Sequence, residues 1–197
     1  MRKLVLQIQI SVDGFVATDS AHDWQLWGWG DGNRWDMELR EDFNAFFATV
    51  ETIVLSRKMA EDGYVAHWTN AAKNYPADPF YAFARRIVEV EKVVLSDRLK
   101  KSHWDRTVIG SGNLPKEVRA LKSTSGGVIV AFGGVSFAAA LLAADLVDEI
   151  QFYINPAALG RGSGVFGQSG FRRLRLLGSK AYSCGMVVNR YAPADRR

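Results

Sequence analysis

The amino-acid sequence predicts an α/β fold: a mixed, mostly parallel central sheet with helices on both faces and an antiparallel C-terminal edge. Three observations carry this reading. Short apolar runs alternate with stretches of helical periodicity through the first two-thirds of the chain, and parallel strands need such crossovers. The last third holds three strand-like runs with no convincing helix between them, the pattern of antiparallel hairpins. Composition is that of a globular protein: 48% of the 197 residues are hydrophobic and 23% charged, enough for one domain over residues 1–197 with a substantial core.

Each element follows from its residues. Leu4–Ile10 is strand-like. A Gly/Trp-rich loop, Gly28–Gly32, comes before Trp35–Val50, where Met37, Leu39, Phe43, Phe46, Phe47 and Val50 fall at mostly helical spacing. Thr52–Leu55 is a short buried strand. Asp78 before Pro79 is a cap followed by a helix-starting proline, and Phe80–Glu89 continues that helix. Val93–Leu95 and Thr107–Ile109 are strands, Leu114–Leu121 is helical, and the apolar strand Val128–Phe132 runs into Gly133-Gly134. An Ala/Leu helix occupies Ser136–Ala144. The three closing strands are Glu149–Ile154, Phe171–Leu177 and Gly185–Tyr191.

Several function classes are disfavoured. No apolar run approaches the roughly 20 residues that cross a bilayer. The N-terminus begins with two basic residues and an apolar run, but Gln7 and Gln9 interrupt it and Asp13 follows. It therefore reads as a first strand rather than a signal peptide, and the chain is placed in the cytoplasm, away from membranes. A single cysteine, Cys184, excludes an internal disulfide, and His22, His67 and His103 have no metal-ligand spacing, so no metal is expected. The net charge of +4 is uneven: residues 161–197 carry eight basic residues against one acidic. In FRRLRLL the arginines alternate with apolar residues, as on a strand with one wet face, so a nucleic-acid partner is not expected.

Four segments carry chemistry. A buried strand ending at Gly133-Gly134, with a helix opening at Ser136, lets a backbone approach a ligand closely and offers free N–H groups and partial positive charge to a phosphate; a tight turn without a ligand gives the same pattern. In TIVLSRKM, residues 52–59, Arg57 and Lys58 follow a strand end, where open α/β sheets bind ligands or simply carry a solvated loop. KVVLSDRL, residues 92–99, repeats the arrangement with Ser96 and Arg98. SVDGF, residues 11–15, is a turn after the first strand, and its Asp13 can orient a substrate or close a loop hydrogen bond. Tyr64, His67 and Trp68 can flank a substrate, and Trp27, Trp29 and Trp35 can line a pocket or pack a surface loop.

Taken in order, SVDGF, LSRKM, KVVLSDRL, FGG (132–134), DLVDEIQFYINPAALGRG (145–162), Phe166 and GMVVNRY (185–191) resemble the reductase domain of riboflavin biosynthesis, the C-terminal half of the bifunctional deaminase-reductases, within the dihydrofolate-reductase-like class. The resemblance spans nearly the whole chain. It implies an NAD(P)H-dependent oxidoreductase acting on a C=N or C=O group of a small heterocyclic substrate, with NADPH as cofactor and NADH as the alternative. Gly133 and Gly134, followed by Val135 and Ser136, match the diphosphate turn. Arg57 and Lys58 match a basic pair near the adenosine phosphate, with Ser96 and Arg98 on the adjoining strand end. Val16 and Ala17 begin the loop that covers the nicotinamide, which runs on to His22, and Trp24 matches a residue at that loop's end, on the substrate side. The resemblance also implies a two-fold homodimer that uses the C-terminal strands or adjacent helices.

Two departures matter. Met59 stands where the family carries Thr, which removes a capping hydroxyl and leaves the preference for a 2′-phosphate open. A gapless count places Arg40, followed by Glu41 and Asp42, where dihydrofolate reductase has its buried acid, so a true dihydrofolate reductase is disfavoured, and a dihydrofolate/pteridine reductase stays as an alternative to the riboflavin-pathway activity. The deaminase zinc signature is absent, as for a stand-alone reductase. A nucleotide-binding module without catalysis remains the alternative from another class, because no side chain stands out as the proton donor.

Overall fold

The computed structural model describes residues 1–17, 35–166 and 172–194. Its elements run β1 (Leu4–Ile10), β2 (Phe15–Ala17), α1 (Met37–Ala48), β3 (Val50–Ser56), α2 (Arg57–Glu61), α3 (Tyr64–Asn74), a 3-10 turn (Pro79–Tyr81), α4 (Ala82–Glu89), β4 (Glu91–Leu95), β5 (Thr107–Gly110), α5 (Leu114–Ser123), β6 (Val128–Phe132), α6 (Val135–Ala143), β7 (Glu149–Ile154), β8 (Ser163–Gly164), β9 (Leu174–Ala181) and β10 (Val187–Pro193). They group into two compact units, one of residues 1–4 and 37–134, the other of residues 5–36 and 135–197.

In the first unit β5, β4, β3 and β6 lie side by side, all parallel. β3 is flanked on both edges, which explains its continuous apolar run: Ile53, Val54 and Leu55 have no exposed surface, nor do Val94, Ile129, Val130 and Ala131 beside them. Each such aliphatic side chain contributes about 1.5–3 kcal/mol by leaving water. The helices supply the crossovers, with α4 packed against α1 and α3. Phe43, Phe47, Trp68 and Phe83 make edge and tilted ring contacts between them. Asp78 caps the turn before α4, its Oδ1 accepting the Phe80 N–H at 2.8 Å, as its position before Pro79 predicts. Lys92 enters the core on β4 and donates from Nζ to the carbonyls of Ile87, Val88 and Val90, closing the C-terminus of α4. Burial, reinforced by the nearby Arg106 charge, pulls its ammonium down to about 8.

In the second unit β1 pairs in parallel with β7, β7 antiparallel with β10, and β10 antiparallel with β9. β9 and β10 form a hairpin that turns at Gly185 (φ 87°), whose N–H donates to the Tyr182 carbonyl. β2 and β8 form a separate two-stranded pair. The predicted class is therefore observed: parallel strands with helical crossovers, then antiparallel strands at the C-terminal end.

Three details differ from the sequence reading. Arg57–Glu61 and Tyr64–Asn74 form α2 and α3, where the sequence reading assigns no helix. The penultimate strand is Leu174–Ala181 rather than Phe171–Leu177, because residues 174–176 and 178–181 are the ones that pair with β10. The helix expected at Trp35 begins at Met37, since Asp36 is used elsewhere: its carboxylate accepts from the Ser183 hydroxyl (2.7 Å) and the Cys184 N–H (2.9 Å). Among the described residues no helix is long and apolar enough to cross a membrane.

Candidate functional site

The first unit brings three candidate segments to one end of its sheet. Register pairs Ser56 with Leu95 and Leu55 with Phe132, so the segments that begin at Arg57, Ser96 and Gly133 leave from neighbouring strands. Strands lie about 4.8 Å apart, which puts the three exits within roughly 10 Å of one another. This is the C-terminal end of a parallel sheet, where loops diverge and a ligand is not crowded by the next strand.

Gly133 is buried and Gly134 is exposed. A Cβ built on Gly134 meets nothing within 4 Å, so the space over that peptide is open. Phe132, immediately before, is wedged against Tyr64 (5.5 Å between centroids) and Phe47 (6.1 Å, stacked), and Tyr64 meets the edge of Trp68. Tyr64 and Trp68 thus fix the turn from behind. Burial raises the Tyr64 hydroxyl well above its usual range and lowers the His67 imidazole, as expected for side chains that pack rather than exchange protons.

The basic pair is less available than the sequence suggests. Ser56 caps α2 by accepting the Met59 N–H at 3.2 Å. Arg57 then pairs with Glu61 one turn on, and Lys58 with Asp62 at 2.6 Å. Ser96 is buried, and its Oγ accepts the N–H groups of Arg98 (3.0 Å) and Leu99 (2.9 Å), which shapes the turn after β4 and leaves the Arg98 side chain exposed. Arg40 lies with its guanidinium 5.1 Å from the Phe80 ring centroid.

The second unit holds the other candidates. α6 returns to β7 through residues 144–148, so its first residues, Val135 and Ser136, lie toward the end of the sheet where β7 and β1 finish. SVDGF starts at that same end. Asp13 accepts the Ser11 hydroxyl at 2.5 Å, the Leu159 N–H at 3.1 Å and the Gly160 N–H at 2.6 Å. These bonds, the Ser11 hydroxyl foremost, hold its carboxyl at about 2. Of the two roles open to Asp13, the geometry realises the loop hydrogen bond. Val16 is buried and Ala17 exposed, in the strand that pairs with Ser163–Gly164. Trp24, Trp27 and Trp29, and the loop residues up to His22 other than Val16 and Ala17, lie outside the described residues.

Sequence reasoning missed one constellation. Gln7, Glu149, Gln151, Tyr153 and Arg190 share a face of the sheet, because Gln151 is opposite Gln7 on β1 and Arg190 on β10. Glu149, with no exposed surface, accepts from Arg190 at 2.7 and 3.2 Å, and this pair raises the Arg190 guanidinium. Gln151 donates to Glu149, Gln7 donates to Gln151 (2.8 Å) and to the Tyr153 hydroxyl (3.1 Å), and Trp35 stacks on Tyr153 at 5.5 Å. The signal lay in Gln7 and Gln9, the polar breaks in the first apolar run.

Comparison with known proteins places this geometry. The profile of the RibD C-terminal domain family matches residues 2–188. No sequence among curated proteins matches the chain. Among solved structures, it is similar to a putative riboflavin biosynthesis protein from Shewanella sp. PV-4, at 19% identity and a TM-score of 0.66, covering 98% of this chain and 99% of that one. It is similar to Acinetobacter baumannii RibD at 16% identity and a TM-score of 0.67, covering 99% of this chain but 59% of the longer protein. It is also similar to Enterococcus faecalis dihydrofolate reductase complexed with NADP(H), at 14% identity and a TM-score of 0.58, covering 98% and 97%. At these identities the likeness is one of fold.

Proposed function

The chain belongs to the RibD C-terminal domain family, and from that premise we propose that it is an NADPH-dependent reductase of a small heterocyclic substrate of the kind used in riboflavin biosynthesis, with NADH as the alternative cofactor. The observation that carries this reading is the Gly133-Gly134 exit, open above Gly134 and set beside the ends of β3 and β4. The residues fit a dinucleotide. The Gly134 peptide can receive a diphosphate without a side chain in the way, and the first N–H groups of α6, at Val135 and Ser136, favour its charge. Arg57, Lys58, Ser96 and Arg98 are the groups for the adenosine-side phosphate, and Val16 and Ala17 contribute on the nicotinamide side. The bound cofactor supplies hydride to a C=N or C=O carbon. What the chain supplies is position and the exclusion of water.

Asp13 holds the turn at Leu159–Gly160, and Trp24 is assigned to the substrate side. The whole is read as a single reductase domain over residues 1–197, acting as a homodimer through the C-terminal strands or the adjacent helices. β9 supports that last point, because Leu176 and Leu177 are exposed on a strand whose second edge carries no described partner. Light scattering tests it: a mass near twice 21.9 kDa is expected, and one near 21.9 kDa refutes it.

The decisive experiment follows NADPH oxidation with 5-amino-6-ribosylaminouracil phosphate as substrate. Turnover is expected. A second reading, nucleotide binding without catalysis, draws on the engagement of the Asp13 carboxylate by its own loop. Tight NADPH binding with no turnover on any pyrimidine or pteridine would decide for it.

A further inference from the structure

The amide chain Glu149–Gln151–Gln7 has a fixed direction, and that direction has a chemical consequence. Glu149, ion-paired with Arg190, presents carboxylate oxygens that only accept. Gln151 must therefore turn its Nε2 toward Glu149, as it does at 2.8 Å. Its Oε1 then faces β1, and Gln7 must answer with its own Nε2. Both hydrogens of that Nε2 are used, one on Gln151 and one on the Tyr153 hydroxyl. Rotating the Gln7 amide would set two acceptor oxygens against each other, and rotating Gln151 as well would set its oxygen against the carboxylate. The result is that Gln7 Oε1 is left as a buried acceptor with no donor among the described residues, on a residue only 3% exposed. Such an atom is costly to leave unfilled, because it has lost its water.

We propose that Gln7 Oε1 is the acceptor for a ring N–H of the heterocyclic substrate, with Gln151 and Glu149 as positioning residues that set the direction of its amide. The proposal rests on the reductase reading and makes it more specific: it selects a lactam ring bearing N–H over an N-alkylated one. Tyr153, which receives the Gln7 amide and is itself stacked on Trp35, borders the acceptor on the same face of the sheet. The requirement is for a donor: a ring that offers only carbonyl or alkylated nitrogen at this position leaves the acceptor unfilled and forgoes the hydrogen bond that the N–H ring makes.

The test uses the whole chain and two probes, 5-aminouracil and its 1,3-dimethyl derivative, titrated by calorimetry and by Trp fluorescence in the presence and absence of NADPH. The wild type is expected to bind the N–H ring at least about tenfold more tightly than the methylated one, the size of effect produced by stranding a buried acceptor. Gln7→Met, checked for folding by circular dichroism, should bring the two affinities within about twofold by weakening the N–H ring. Glu149→Gln, which frees the amide direction, should narrow the difference while leaving NADPH affinity unchanged. Equal affinity of the wild type for both probes, or failure to bind either while NADPH still binds, overturns the proposal without needing any variant. Failure to bind NADPH counts instead against the reductase reading itself.

Discussion

Gly134→Val isolates the cofactor turn from the fold. In the protein a Cβ at this position touches nothing within 4 Å, and Gly134 is not among the glycines held at positive φ, so the side chain is accommodated without strain. Replacing a compatible glycine removes freedom from the unfolded chain, worth about 0.4–1 kcal/mol in favour of folding for alanine, and the β-branch of valine gives some of this back. The melting temperature should therefore stay within a few degrees of wild type. Cofactor binding should collapse, because the valine methyls fill the space a diphosphate needs. Losing two charge-assisted bonds to backbone N–H groups, each about 1.5–3 kcal/mol, costs about 3–6 kcal/mol, or roughly a hundredfold to ten-thousandfold in Kd. Calorimetry with NADPH on the folded variant measures this, and Gly134→Ala should fall between the two. A folded Gly134→Val protein that binds NADPH like the wild type would show that the open face of Gly134 is not the diphosphate site.

Arg57→Ala with Lys58→Ala should weaken NADPH by about tenfold more than NADH, while thermal stability moves by less than about 0.5 kcal/mol, because exposed i,i+4 pairs with Glu61 and Asp62 contribute little to folding; equal losses for both cofactors would place these residues away from the 2′-phosphate. Gly112→Ala should behave in the opposite way to Gly134→Ala: its Cβ runs into the Asp97 carboxylate, which accepts the Gly112 N–H at 2.8 Å, so Asp97 must swing away from that bond and a loss of about 0.5–1.5 kcal/mol is expected by urea denaturation. Asp13→Asn tests the loop clamp through pH. The folded carboxyl titrates at about 2 against an ordinary value of 3.8, so its contribution is present above 3.8 and is lost as pH falls through about 2. Wild type should outlast the variant in thermal melts at pH 5, and the difference should vanish near pH 2; a difference independent of pH would mean that the carboxylate charge is not what holds Leu159 and Gly160.

What the sequence shows is set by how local the determinant is. The apolar run Val128–Phe132 and the glycines after it are legible because a buried parallel strand and its turn are both written in consecutive residues. So is the Asp78-Pro79 cap. The stretch from Arg57 to Asn74 misled because Gly63, which carries φ 106°, splits it into two short helices, each with too few periodic positions to stand out. Ser96 and Asp13 were visible as polar residues at strand ends, but whether such a side chain faces a ligand or its own loop depends on the path of the backbone, and both turned out to bind the backbone around them.

The buried amide row lies at the far end of that scale. A glutamine in a strand reads as a solvent-facing position, because an isolated buried amide is unfavourable. Gln7, Gln151 and Arg190 are separated by more than a hundred residues at one step and by thirty-nine at the other, and nothing in the vicinity of any of them announces the other two. Only the register of β1 on β7 and of β7 on β10 turns three poor choices into one connected chain. A one-residue slip of β1 would place Leu6 or Ile8 opposite Gln151 and break it, so the chain penalises that misalignment more than an apolar row would. The same feature that secures the register leaves Gln7 Oε1 without a donor among the described residues. A core polar row kept only for register has no need to end on an unfilled acceptor, since a threonine or serine at position 7 could close it, and that is why the loose end is better explained by a ligand than by the fold.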